Sequence, residues 1–234
     1  MLTDKFGRAG ARPYRTMPTL LHIDASPRGD RSISRLLTRE FAVAWKEANP
    51  DGQIIYRDLG RDPIPLVTET FIAAVYTPPE ARSEELRAAI ATSDQLISEL
   101  QTATDYVFGV PMYNFSVPAG FKAYIDQIVV PGRTYTYTAD ESGFRTGLLK
   151  GKKATVIMSR GWLYRDGSPL SSCNLQEPWI RMILGFVGIT DIDFVVAEGV
   201  AHLDRGNDER EQCLKPIREQ VRFKAGAGLV SAKR

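Results

Sequence analysis

Three short stretches of this 234-residue chain hold the residues best able to do chemistry, and each follows an apolar run of strand length. The first reads Ala25-Ser26-Pro27-Arg28-Gly29-Asp30-Arg31-Ser32-Ile33-Ser34 and leads straight into a helical pattern. A helix N-terminus presents unpaired N–H groups and partial positive charge, so an anion can sit there, with Ser26, Ser32 and Ser34 adding hydrogen bonds. Neither Gly-x-Gly-x-x-Gly nor Gly-x-x-x-x-Gly-Lys-Ser/Thr occurs, so a monophosphate ester suits the loop better than a dinucleotide or a nucleoside triphosphate. Ser32 also reads simply as a helix N-cap.

The second stretch is Pro111-Met112-Tyr113-Asn114-Phe115-Ser116. Met112, Tyr113 and Phe115 suit the faces of a flat ring and Asn114 its heteroatoms, the mix of apolar walls and few polar groups found in cofactor pockets. Pro111 and Pro118 bracket the stretch as a loop. The third, Ser159-Arg160-Gly161-Trp162, can bring the Ser159 hydroxyl and the amides of Arg160 and Gly161 to the far edge of the same ring.

Apolar runs at 20–24, 53–56, 106–110, 154–159 and 192–197 alternate with segments of helical period. Ile33, Leu36, Leu37, Phe41, Ala44 and Trp45 share one helix face. Further helices are expected over 83–103 (capped by Ser83), 119–129 and 174–186, and from near Asp208, where Pro216 must kink or interrupt the last one. Strictly alternating elements predict an α/β fold, a doubly wound five-stranded parallel sheet with helices on both faces. Ligands then bind beyond the carboxyl ends of the strands, where the strand order reverses, and the three stretches above leave strands one, three and four. Residues 63–79, with four prolines, and 133–151 fit no regular helix and read as excursions able to reach a ligand.

The formal net charge of +2 comes from residues 1–16, where Lys5, Arg8, Arg12 and Arg15 stand against Asp4 alone. The remainder is close to neutral and offers no basic face for nucleic acid. No apolar stretch has the length of a membrane span, and a cytoplasmic protein is expected. Cys173 and Cys213 have no metal-ligand spacing and read as buried free thiols; no metal site is expected. His22 lies within the first apolar run and reads as a core histidine. One phosphate loop and two ring-edge loops on a single rim describe a site for flavin mononucleotide (FMN).

At these residues the chain resembles the FMN-dependent NADH azoreductases, a flavodoxin-like family related to the NAD(P)H quinone reductases. The likeness runs from about residue 20 to about residue 224. It is densest in Pro111-Met112-Tyr113-Asn114-Phe115 through Pro118, Lys122, Tyr124 and Asp126 to Gly132-Arg133-Thr134-Tyr135, then in Ser159-Arg160-Gly161 and Leu184-Gly185-Phe186-Val187-Gly188-Ile189-Thr190. The Arg-rich, acid-poor start followed by Met17 reads as a disordered or mis-started extension over 1–18, ahead of a single flavodoxin-like domain over 19–234. The resemblance implies that Ser26, Ser32, Ile33 and Ser34 hold the FMN phosphate, and that Met112, Tyr113, Asn114, Phe115, Ser159, Arg160, Gly161 and Trp162 hold the isoalloxazine. Members are homodimers with the flavin near the subunit interface, so Tyr137 and Phe186 become candidate walls of the substrate pocket. The activity implied is a ping-pong reduction of quinones and azo compounds by NADH or NADPH through flavin N5, with no catalytic side chain assigned. Where the family commonly has a second glycine, this chain has Trp162, an indole that either stacks on substrate or turns away. The alternative is a flavodoxin-like electron carrier that binds FMN without turning over NAD(P)H. Such carriers tend to be smaller and acidic, unlike this near-neutral chain with its two extra segments.

Overall fold

A buried apolar strand, β1 (Thr19–Asp24), begins the computed structural model, which describes residues 17–138, 145–203 and 207–226. Of the expected extension over 1–18, residues 1–16 lie outside the described residues. From β1 the chain passes through α1 (Ile33–Ala48) to β2 (Gln53–Asp58), then through α2 (Glu69–Tyr76) and α3 (Glu84–Thr102) to β3 (Asp105–Pro111). It continues with α4 (Ala119–Ile128), β4 (Tyr135–Thr136), β5 (Thr146–Gly147), β6 (Lys153–Ser159), α5 (Gln176–Phe186), β7 (Asp191–Ala197) and α6 (Asn207–Gly226).

Five strands pair in the order β2-β1-β3-β6-β7, all parallel, as the alternating pattern predicts. Successive side chains along a strand point to opposite faces, so the sheet is covered twice. On one face Leu20, Val107, Ile157 and Val195 pack with Leu37, Phe41 and Trp45 of α1 and Leu214 and Val221 of α6. On the other, Leu21, Ile23, Phe108 and Val156 pack with α3, α4 and α5 through Leu96, Ile97, Phe121, Ile180 and Leu184. Ser83 caps α3, its hydroxyl accepting from Leu86 N–H at 3.3 Å.

Three expectations need correction. Residues 63–79 contain a regular helix, α2, because all four prolines (63, 65, 78 and 79) fall outside it. The Thr68 hydroxyl caps it by accepting from Phe71 N–H at 3.2 Å, and Phe71 and Ala74 anchor it in the core. Of the two outcomes expected at Pro216, a kink or an interruption, the second does not occur, because α6 continues through it. An interior proline costs roughly 3 kcal/mol, which burial of Leu214 and Val221 on either side offsets at about 1.5–3 kcal/mol each. The two cysteines are free but not buried: Cys173 is half-exposed in a short 3₁₀ turn, and Cys213 faces solvent beside the inward Leu214.

The segment 133–151 is an excursion after all, pinned by the short antiparallel pair β4–β5; residues 139–144 lie outside the described residues. Among the described residues no helix is long and apolar enough to cross a membrane, and no three His, Cys, Asp or Glu side chains gather as a metal-ligand set.

Candidate functional site

Strand order reverses between β1 and β3, because the chain steps outward from β1 to β2 and then crosses back. The three predicted loops open at that end of the sheet. Ala25 N–H donates to Gly109 O at 2.9 Å and Met112 N–H to Ser159 O at 2.8 Å, which ties the starts of all three together. Two strand spacings separate the outer pair, about 10 Å, the scale of a fused ring system.

In the first loop Ser26, Ser32 and Ser34 are all buried. Ser32 Oγ lies 3.1 Å from Ser34 Oγ and accepts weakly from Arg35 N–H at 3.4 Å, so the capping role is real. It leaves capacity to spare. Among the described residues no hydrogen bond reaches the N–H of Ile33 or of Ser34, the first two amides of a 16-residue helix. Two orphan donors, two adjoining hydroxyls and the positive end of the helix form an anion cradle.

The second loop is a two-residue turn. Tyr113 N–H donates to Ser116 O at 3.1 Å and Ser116 N–H to Tyr113 O at 3.0 Å, with Asn114 at φ 47° and Phe115 at φ 69°. Asparagine tolerates the left-handed region, whereas an aromatic residue there stores of order 1–3 kcal/mol. The strain is held by Phe115 O, which accepts from Leu175 N–H at 3.1 Å, and by Tyr164, whose buried ring lies edge-on at 6.4 Å. The Phe115 ring is thereby presented on the rim, half exposed.

The third loop departs from expectation at one atom. Arg160 N–H donates to Ala197 O at 2.8 Å, extending the sheet, so it is not offered to a ring edge. The side chain turns inward, with Nε 3.0 Å from Gln176 Oε1 and one terminal nitrogen 3.0 Å from Glu198 Oε1. Gln176 in turn donates to Val110 O at 2.9 Å, so Arg160 braces the third loop against β3. Among the described residues Gly161 N–H has no hydrogen bond, and Ser159 is half-buried at the end of β6. Trp162 is largely exposed and, with Leu163, Val200, Leu214 and Ile217, lines a cavity of about 470 Å³ beside this loop.

Tyr137 and Phe186 do not join this rim. Phe186 ends α5, whose start is tied to the rim through Leu175 and Phe115, so about 16 Å of helix separates the two. At that far end Tyr135 packs on Phe186 at 4.9 Å and on Tyr137 at 5.7 Å, and Arg145 lies over the Tyr137 and Phe186 rings at 5.3 Å each. Burial first, then Tyr137 and Tyr76 nearby, push the Tyr135 hydroxyl up to about 12.

Below the first loop, on the α1 face, lies a buried polar group of which the sequence reading names only His22, read there as a core histidine. His22 Nε2 stands 3.4 Å from Asp24 Oδ2, the Tyr56 hydroxyl donates to the same oxygen at 3.0 Å, and Thr38 donates to Asp24 Oδ1 at 2.8 Å. Burial raises Asp24, but His22, Thr38 and Arg35 together outweigh it and leave its pKa lowered. Arg35 and Asp58 complete the group as a buried bidentate pair. An arginine on the inward face of a helix, three residues past its cap, was the available signal.

A doubly wound parallel sheet with a hydroxyl-lined helix start at its reversal point is the architecture of flavodoxin-like phosphate-ester binders. A family model described as a flavodoxin-like fold matches residues 18–221. An FMN-dependent NADH:quinone oxidoreductase of Trichormus variabilis is 47% identical over 205 residues, 88% of this chain and 97% of that protein. One from Nostoc punctiforme is 50% identical over 205 residues, with the same shares covered. The crystal structure of an azoreductase from Bacillus anthracis superposes with a TM-score of 0.80 at 27% identity, covering 90% of this chain and 100% of that one. The chain belongs to the flavodoxin-like fold family, in the branch these oxidoreductases form.

Proposed function

We propose that this protein is an FMN-dependent NAD(P)H oxidoreductase that reduces quinones and azo compounds, acting as a cytoplasmic homodimer. The observation that carries the reading is the anion cradle at the start of α1, facing the strained aromatic turn at Asn114–Phe115 across the β1/β3 reversal. The residues present fit FMN: Ser26, Ser32 and Ser34 with the free Ile33 and Ser34 amides for its phosphate, Met112–Phe115 and the Gly161 amide for its ring. When bound, FMN supplies a two-electron carrier that takes hydride at N5 from NADH or NADPH and passes two electrons to an acceptor. The chain's own part is to bind and orient. One open rim serves both substrates in turn, which is why a ping-pong order is expected. No side chain is assigned a proton-transfer role.

The distant position of Tyr137 and Phe186 supports the dimer. They can wall a pocket only on the rim of a second copy. Tyr135, which packs on Tyr137, lies near the exposed Tyr76 of α2, and Ile72 one turn earlier on that helix is exposed too, the kind of apolar surface that marks an interface. A two-fold pairing would use the same patch on both copies.

Anaerobic mixing with NADH, followed by a quinone, tests the activity. The flavin's visible band is expected to bleach without any acceptor present and to return on quinone addition. A band that NADH leaves unchanged in FMN-loaded protein would instead mark an electron carrier.

A further inference from the structure

A heavily built, buried polar cluster lies behind the phosphate cradle. Arg35, only 6% exposed, donates from Nε to Ser26 O at 2.6 Å and from both terminal nitrogens to the Asp58 carboxylate. Asp58 also accepts from Gly60 N–H and Arg61 N–H at 3.1 Å each, so one carboxylate ties the loop after β2 to the guanidinium. That loop presses on the same carbonyl: a Cβ on Gly60 would stand 2.4 Å from Ser26 O, so only glycine permits the approach. Thr38 and Tyr56, held on Asp24, close the cluster.

Burying an arginine and an aspartate is expensive, and apolar residues of similar size commonly serve the fold as well or better. Arg35 commits its Nε donor to a backbone carbonyl of the first loop. Burial raises Asp58, yet its hydrogen bond from Arg35 and that charge more than reverse this, so the carboxylate stays ionised and the clamp stays closed at neutral pH.

We propose that Arg35 is a positioning residue which, by clamping Ser26 O to Asp58, fixes the cradle on a phosphate monoester and makes the site select FMN over unphosphorylated riboflavin. This rests on the flavin reading above. The guanidinium does not touch the phosphate; it sets where the Ser26 hydroxyl and the α1 amides stand.

The test uses full-length protein stripped of flavin and titrated separately with FMN and with riboflavin, followed by quenching of flavin fluorescence. Two variants are compared: Arg35→Lys, which keeps the charge but cannot span three acceptors, and Arg35→Met with Asp58→Leu, which removes both charges and leaves neither orphaned. Both are expected to bind FMN about ten- to thirtyfold more weakly, the scale of one displaced hydrogen bond to a charged group, with riboflavin affinity within about twofold of wild type. Lysine failing to rescue separates position from charge. Unchanged FMN affinity, or an equal loss for both flavins, would overturn the proposal, the second result marking a general scaffold role. A wild-type chain that takes up neither flavin would overturn the flavin reading itself.

Discussion

Exchanging Ser32 and Ser34 together for alanine is expected to weaken FMN binding by roughly a hundred- to ten-thousandfold. Each hydroxyl bonded to a phosphate dianion is worth about 1.5–3 kcal/mol, and the buried setting leaves little water to take its place. Ser32 is also the α1 cap, and its loss costs about 1 kcal/mol of stability, so affinity must be read beside the thermal midpoint. A second variant separates the two roles. Ser32→Asp keeps the cap and suits the helix dipole, yet places a carboxylate where the phosphate would sit. It is expected to be as stable as wild type and still to lose FMN. Retention of FMN by both variants, measured by equilibrium titration, would mean that Ser32 is only a cap.

The second large effect tests the pocket that the proposed dimer would share between its copies. A copy carrying Ser32→Ala and Ser34→Ala has an intact far end and a disabled rim; a copy carrying Tyr137→Ala and Phe186→Ala has the reverse. Each alone is expected to be nearly inactive in quinone reduction. Unfolded, re-paired at random and reassembled, half of the dimers are mixed, and each mixed dimer holds one complete site, so activity should return to about one quarter of wild type. No recovery on mixing would place Tyr137 and Phe186 outside the partner's pocket. The geometry that leads to this is the α5 helix, which begins at the rim beside Phe115 and carries Phe186 to the opposite end of the sheet.

The sheet was legible in the sequence because parallel strands covered on both faces appear as short uninterrupted apolar runs, and five of them stand out from Leu20 onward. The rim loops were legible for a related reason: each follows such a run directly, so the topology alone places them together. Local signals failed where tertiary context decided the outcome. Four prolines obscured α2, although their positions at 63, 65, 78 and 79 leave room for a full two turns between them. Pro216 looked disruptive because the inward packing of Leu214 and Val221 is invisible until α6 is docked on α1. The amide of Arg160 reads as free because, although the run 192–197 is visible as a strand, its pairing and register against β6 are not, and that register hands the amide to Ala197 O. The Arg35–Asp58 clamp joins residues 23 positions apart across two elements, and no spacing rule connects them.

Soaking or co-crystallising the full chain with FMN and locating the coenzyme in the density tests the site most directly. The expected result is one molecule per chain, its phosphorus against the hydroxyls of Ser26, Ser32 and Ser34 and the amides that open α1, its tricyclic ring lying along Met112–Phe115. A coenzyme bound anywhere else on the fold, or a chain that stays empty in a saturating solution, would contradict the assignment.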